Sequence, residues 1–161
     1  PTQMPVRVHV CAVGRLRSGP ECELLNDDLT RFDRTGRALG LGPVVVHEVE
    51  DKKARGMSAE AGLLSAVIPK GAVTCALDER GKVMTSPDFS KMLANWRDDG
   101  RGDVAFVIGG ADGLDPTLRA QVDTKLSFGK MVWPHMLVRV MLGEQLYRAA
   151  SILSGAPYHR V

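Results

Sequence analysis

Hydrophobic positions along this chain follow two alternating periods, and that alternation predicts an α/β protein before any motif is considered. Residues 6–13, Val-Arg-Val-His-Val-Cys-Ala-Val, alternate and then turn wholly apolar, as a strand does on entering a sheet covered on both faces; Gly14 ends it. Over 21–39 the apolar residues Cys22, Leu25, Leu29, Phe32 and Leu39 recur at helical spacing, with Gly40 as breaker and Pro43 beyond. A second strand is expected at 44–49 and an exposed charged loop at 52–57. A helix over 58–68 follows, capped by Ser58 and carrying Glu60 in its first turn. After the turn Pro69-Lys-Gly71, a third strand at 73–78 runs into Glu79-Arg-Gly81. Ser86-Pro87-Asp88 opens a third helix that reaches 99, with Ser86 as the residue accepting from its free amides.

The strand 104–108 leads into Gly109-Gly-Ala-Asp-Gly113, Asp115-Pro116 starts a short helix, and 125–128 forms a fifth strand. The last helix, 134–153, is apolar almost all round, which predicts burial in the core or against a second subunit. Strands alternating with helices specify a parallel sheet with helices on both faces, in a single domain. Ligands of such sheets sit at the carboxyl ends of the strands. Here those ends are Val13-Gly14, Leu77 to Gly81, Ile108 to Gly113, and Phe128 to Lys130.

Composition narrows the class. With 44% hydrophobic and 25% charged residues in a 161-residue chain, the balance is that of one soluble globular domain. The net charge of +2 excludes a protein that grips nucleic acid by charge density alone, so any polyanion contact is local. Arg7, Arg15 and Arg17, and the cluster Lys52, Lys53 and Arg55, are the candidates; each also reads as ordinary solvated surface charge. Three cysteines without a CxxC pair point to reduced thiols in the cytoplasm. Neither a signal peptide at Pro1-Thr-Gln-Met-Pro nor a membrane-spanning run is visible.

Candidate chemistry concentrates in the last third. Gly109, Gly110 and Gly113 sit between a strand and a helix, where backbone amides can approach a ligand; a tight turn without a ligand explains them equally. The pattern matches neither a dinucleotide fingerprint nor a phosphate loop, and the turn Gly14 to Gly19 lacks the glycine spacing of the former. His135 and Arg139 share one helix face; Glu144, Arg148 and Ser151 share another, where an intrahelical ion pair is the plain reading. The four histidines lack metal-ligand spacing, and Ser127 and Ser151 lack a nucleophile elbow. Tyr158-His159-Arg160 reads either as a frayed end or as a lid whose rings stack on a base and whose arginine holds a phosphate or carbonyl oxygen.

In order and spacing these pieces resemble the SPOUT-class methyltransferases, and within them the enzymes that methylate N3 of a pseudouridine in 23S rRNA. The matching residues are Val13-Gly14, Asp51 to Lys53, Leu77-Asp78 with Gly81, Ile108 to Leu114, Leu126-Ser127, Pro134-His135, Leu137 to Arg139, Glu144 to Ala149, and Pro157 to Arg160. They span nearly the whole chain. The resemblance implies a trefoil knot within about 73–161, a homodimer, and an S-adenosylmethionine site without metal. It assigns cofactor contacts to Leu77, Gly109, Gly110, Gly113, Leu126, Ser127, Phe128, Gly129, Lys130 and Met131. Val132 stands where the family often has Thr, and Ala111-Asp112-Gly113 where it has Pro-Glu-Gly.

For the reaction so implied, Arg139 or Arg160 is expected to stabilise charge developing on the base carbonyls. His135 or His159 orients the base or accepts its proton. Tyr158 is expected on the target base, donated with its neighbours across the dimer, and Lys52, Lys53 and Arg55 on the ribosome. The competing expectations are a methyltransferase acting on tRNA or another rRNA site, and a ribosome-associated factor without activity.

Overall fold

The computed structural model describes residues 4–160; Pro1 to Gln3, on which part of the N-terminal reading falls, and Val161 lie outside them. Five strands, β1 Val6–Val13, β2 Leu41–Val49, β3 Val73–Val83, β4 Asp103–Ile108 and β5 Thr124–Ser127, form one sheet in the order β2-β1-β4-β3-β5. All four pairings are parallel, as the alternation of periods required. Helices α1 Pro20–Gly36, α3 Ser86–Asp98 and α5 His135–Ser154 pack on one face, around Val8, Val10, Phe32, Phe106, Leu142 and Leu146. Helices α2 Met57–Val67 and α4 Pro116–Gln121 cover the other, around Cys11, Leu64, Val107 and Leu118. Both faces of β4 are therefore covered, and Val104 to Ile108 are all buried.

Several boundaries differ from the sequence expectation, each for a local reason. Ser58 does not cap α2: Gly56, at φ +103°, turns the chain one residue before Met57 and places Ser58 inside the helix. Thr85, not Ser86, caps α3, its hydroxyl accepting from the Asp88 amide at 3.1 Å; Ser86 instead donates to Gln145 on α5 at 2.7 Å. α1 stops at Gly36, where a Cβ would sit 2.7 Å from the Leu41 carbonyl oxygen, and Leu39 lies in a separate 3₁₀ turn that the left-handed Gly40 ends. β3 runs past Asp78 to Val83, with an irregularity between Leu77 and Lys82 that carries Asp78 to Gly81 out of the ladder. β2 begins at Leu41, and Phe128 lies just beyond β5.

α5 is not buried all round. Arg139, Leu142, Gly143, Leu146, Ala149 and Ala150 make a single buried stripe toward the sheet, α1 and α3, while Leu137 stays exposed. Asp115 caps α4 as its Asp-Pro signal predicts, accepting from the amides of Thr117 and Leu118 at 3.1 Å each. Replacing that carboxylate by a methyl, Asp115→Ala, should lower unfolding stability by about 1 kcal/mol. Urea denaturation followed by circular dichroism measures this.

Cys11 and Cys75 lie in the strands, and burial pushes both thiols up to about 12, so neither is a thiolate nucleophile at neutral pH.

Candidate functional site

A cleft of about 170 Å³ opens where β3, β4 and β5 end, at the carboxyl edge of the sheet. Its floor and walls are Leu77, Ile108, Leu114, Leu126 and Phe128, joined by the glycine turn after β4 and by Met131, Trp133 and His135 from the segment entering α5. In that turn the Gly113 amide donates to the Gly110 carbonyl at 2.9 Å, folding the chain back on itself. A Cβ on Gly109 would lie 2.5 Å from the Gly113 carbonyl oxygen, so only glycine fits. The result is a wall of bare backbone opposite apolar side chains.

Of the residues expected to hold a cofactor, Leu77, Gly109, Gly110, Gly113, Leu126, Phe128, Gly129 and Met131 line this one cleft. Ser127 and Lys130 do not. The Ser127 hydroxyl is buried, bonded to the Gly129 amide and to the carbonyls of Gly129 and Glu79, and so shapes the turn that carries Phe128 and Gly129. Lys130 is exposed. Val132, where the family often has Thr, is 79% exposed.

Charge at the rim comes from residues to which the sequence reading gave no site role. Asp78 is buried at the cleft, where burial pushes its carboxyl up but the Arg80 fork, with Arg119 beside it, wins and holds it below the usual carboxylate range. Arg80, Glu79, Asp112 and Trp133 also line the cleft. The sequence brought Asp78, Glu79, Arg80 and Asp112 forward as members of glycine-containing turns at the strand ends, and gave Trp133 no role.

Of the four residues expected to act in catalysis, His135, Arg139, His159 and Arg160, His135 lines the cleft. Burial, aided by the charge of Arg139 one turn on, holds its imidazole below the ordinary histidine range. At neutral pH it is therefore a neutral ring that can accept a proton. Arg139 does not line the cleft: it is 1% exposed, paired with Glu48 at 2.6 Å and donating to the carbonyls of Val13 and Gly14. A free cation at 139 was the expectation; a cation committed to the ends of β1 and β2 is what the fold places there.

The C-terminal tail is docked, not frayed. Tyr158 packs against Tyr147 with ring centroids 4.7 Å apart and planes tilted by 51°, and donates to Glu144 at 2.9 Å, while His159 Nδ1 lies 3.1 Å from the Arg148 guanidinium. Glu144 and Arg148 form the expected intrahelical pair at 2.7 Å. None of Tyr158, His159 and Arg160 lines the cleft, and Arg160 is exposed. Lys52, Lys53 and Arg55 lie exposed between β2 and α2, with Arg55 3.4 Å from Asp51. Arg7 and Arg15 are paired with Asp103 and Glu50.

Comparison with known proteins agrees with this architecture. A family model described as predicted SPOUT methyltransferase matches residues 6–159. Ribosomal RNA large subunit methyltransferase H of Ruegeria sp. (strain TM1040) is 70% identical over 97% of this chain and 100% of its own length. The protein of the same name from Dinoroseobacter shibae is 68% identical over the same shares. Among solved structures, a probable methylase family protein from Haemophilus influenzae Rd KW20 superposes with a TM-score of 0.50 at 10% identity, over 99% of this chain and 72% of that one, a likeness of fold alone. With a family model covering almost every residue and relatives this similar along their whole length, the chain belongs to the SPOUT methyltransferase family.

Proposed function

We propose that this protein is an S-adenosylmethionine-dependent methyltransferase of large-subunit ribosomal RNA, acting on N3 of a pseudouridine in 23S rRNA of the assembled ribosome. The observation that carries the reading is the 70% identity to a ribosomal RNA large subunit methyltransferase H across that protein's entire length. The reading includes one cytoplasmic SPOUT domain over the whole chain, knotted within about 73–161, and a homodimer.

The cleft fits such a donor. Leu77, Leu114, Leu126 and Phe128 suit the faces of an adenine, and the backbone about Gly109 admits close approach where a side chain would block it. Glu79, Arg80 and Asp112 bring both signs of charge to the rim, as a zwitterionic amino-acid end requires. When bound, the donor supplies an electrophilic methyl group on a sulfonium. The chain supplies orientation, exclusion of water and a proton acceptor.

An imide nitrogen is a nucleophile only after losing its proton. Neutral His135 at the cleft edge is the acceptor this reading assigns. Arg139 is buried, which leaves Arg160, carried on the tail of a second subunit together with Tyr158 and His159, to meet charge on the base carbonyls. Lys52, Lys53 and Arg55 face the ribosome in this arrangement.

Methyl transfer from labelled S-adenosylmethionine to ribosomes, followed by mapping of the modified base, tests the reading. Label in 23S rRNA at a pseudouridine supports it; label in tRNA, or none with any RNA, overturns it. The rate on ribosomes should fall as pH is lowered through the depressed titration of His135, because protonation removes the acceptor. Above that point it should level off.

A further inference from the structure

An arginine with 1% exposure beside a catalytic cleft requires an explanation that stability does not provide. A buried guanidinium loses hydration that its attraction to the half-buried Glu48 carboxylate only partly returns, and well-packed apolar residues serve a core as well or better. The Arg139 Nε is, moreover, buried without a hydrogen-bond acceptor. What the pair holds is specific. Glu48 Oε2 accepts from Arg139 at 2.6 Å and from the Leu16 amide at 2.7 Å, and the second guanidinium nitrogen donates to the carbonyls of Val13 and Gly14 at 3.2 and 3.0 Å. Three acceptors, the Glu48 carboxylate of β2 and the carbonyls of Val13 and Gly14, thus converge on one side chain of α5, and the Leu16 amide is tied to it through Glu48.

That turn abuts His135. A Cβ built on Gly14, itself at φ +95°, would lie 3.7 Å from His135 Nε2 and 3.1 Å from Met136 Cε. The imidazole therefore stands on the backbone that the ion pair fixes, one helical turn from the guanidinium.

We propose that Glu48 and Arg139 are positioning residues, whose ion pair clamps the Val13–Leu16 turn and thereby seats the His135 ring at the edge of the cleft. Neither touches the reacting groups. The inference rests on the reading of this cleft as the methyl-transfer site, with His135 as its proton acceptor. The charged groups on the elements packed about His135 are Arg139 on its own helix, Glu48 of β2 through its pair with Arg139, Asp78, Glu79 and Arg80 from β3, and Asp112 from the turn after β4, the last four lining the same cleft.

The test follows the titration of the His135 ring by NMR in the full-length, histidine-labelled protein, the signal being assigned by its loss in His135→Gln. Glu48→Gln removes the counter-charge and leaves the Leu16 amide an acceptor, so the His135 titration should move to lower pH. Arg139→Gln removes the cation and leaves Glu48, so it should move to higher pH. Shifts of opposite sign are what a clamp that carries its charge to the ring produces; a pair that serves stability alone lowers the melting temperature of both variants and moves neither titration.

In methyl-transfer assays both variants should lose about 100-fold in kcat, the scale of a misplacement of about 1 Å, with KM for the RNA nearly unchanged. Arg139→Lys, which keeps the charge and loses the fork, should return the titration to its original place and kcat only in part. Unshifted titrations in folded Glu48→Gln and Arg139→Gln overturn the proposal. Failure of the unmodified protein to methylate any RNA overturns the functional reading instead, and the titrations still report on the clamp.

Discussion

A Gly109→Val chain should bind no S-adenosylmethionine and transfer no methyl group, while still forming the sheet. The first Cβ atom already meets the Gly113 carbonyl oxygen at 2.5 Å, its carbon at 2.6 Å and the Leu114 amide at 2.7 Å, all of them backbone that cannot rotate aside. The glycine turn must open to relieve the clash, and opening it pushes Gly110 to Leu114 out of the cleft wall. Overpacking of this kind costs about 1–3 kcal/mol in stability, too little to unfold an average domain. The loss of activity should exceed about 100-fold, because the residues displaced are those against which the donor is read. Calorimetric titration with S-adenosylmethionine and a thermal melt of the same sample separate the two effects. Gly102→Ala, at a glycine with open space around it and no left-handed φ, is the matched control and should bind normally. Undiminished binding by the Gly109→Val protein would remove this cleft as the donor site.

Truncation after Pro157 should abolish methyl transfer, and mixing the truncated subunits with Gly109→Val subunits should restore part of it. The tail is anchored by Tyr158 to Glu144 and Tyr147, and by His159 to Arg148, on a part of α5 that lines no wall of its own cleft. If Tyr158, His159 and Arg160 act on the target base, they do so from a second copy of the chain. Each mixed dimer then joins an intact cleft from the truncated subunit to an intact tail from the glycine variant. Activity should appear only after the subunits are exchanged, in proportion to the mixed dimers formed. Mixtures as inactive as their parents, with exchange verified by mass spectrometry, would show that each site is complete within one subunit.

Glu144 has a part in this arrangement that its helical spacing hid. It reads as half of an i, i+4 pair with Arg148, and it is one, but its carboxylate also accepts from the Tyr158 hydroxyl and so organises the tail. Burial, then the hydrogen bond to Glu144, raises the phenol of Tyr158, which keeps it protonated and a donor at any physiological pH. Arg139 shows the reverse. A basic residue one turn from His135 resembled a second catalytic group, yet its partner Glu48 lies 91 residues away on β2, at a separation no periodicity reports.

The sequence by itself determined the order and type of the elements, the parallel sheet, and the strand ends that would carry a site. These follow from local chemistry: a period of two or of 3.6, a glycine where the chain must turn, an Asp-Pro where a helix must start. Even the cap positions it misplaced, Ser58 for Gly56 and Ser86 for Thr85, missed by one or two residues. It also offered the glycine turn and His135 as candidates through residue type and position, while Leu77 and Leu126 were implied by the family resemblance. Only the tertiary structure decided which charges are available. Arg139, Arg80 and Arg7 are alike in sequence, but one is buried on Glu48, one is forked onto Asp78 at the cleft and one is paired at the far end of the sheet with Asp103. Whether a charge acts on a ligand or on the fold depends on what long-range packing sets within about 4 Å of it, and on how much water that packing removes. Neither quantity is a property of the residue or of its neighbours in the chain.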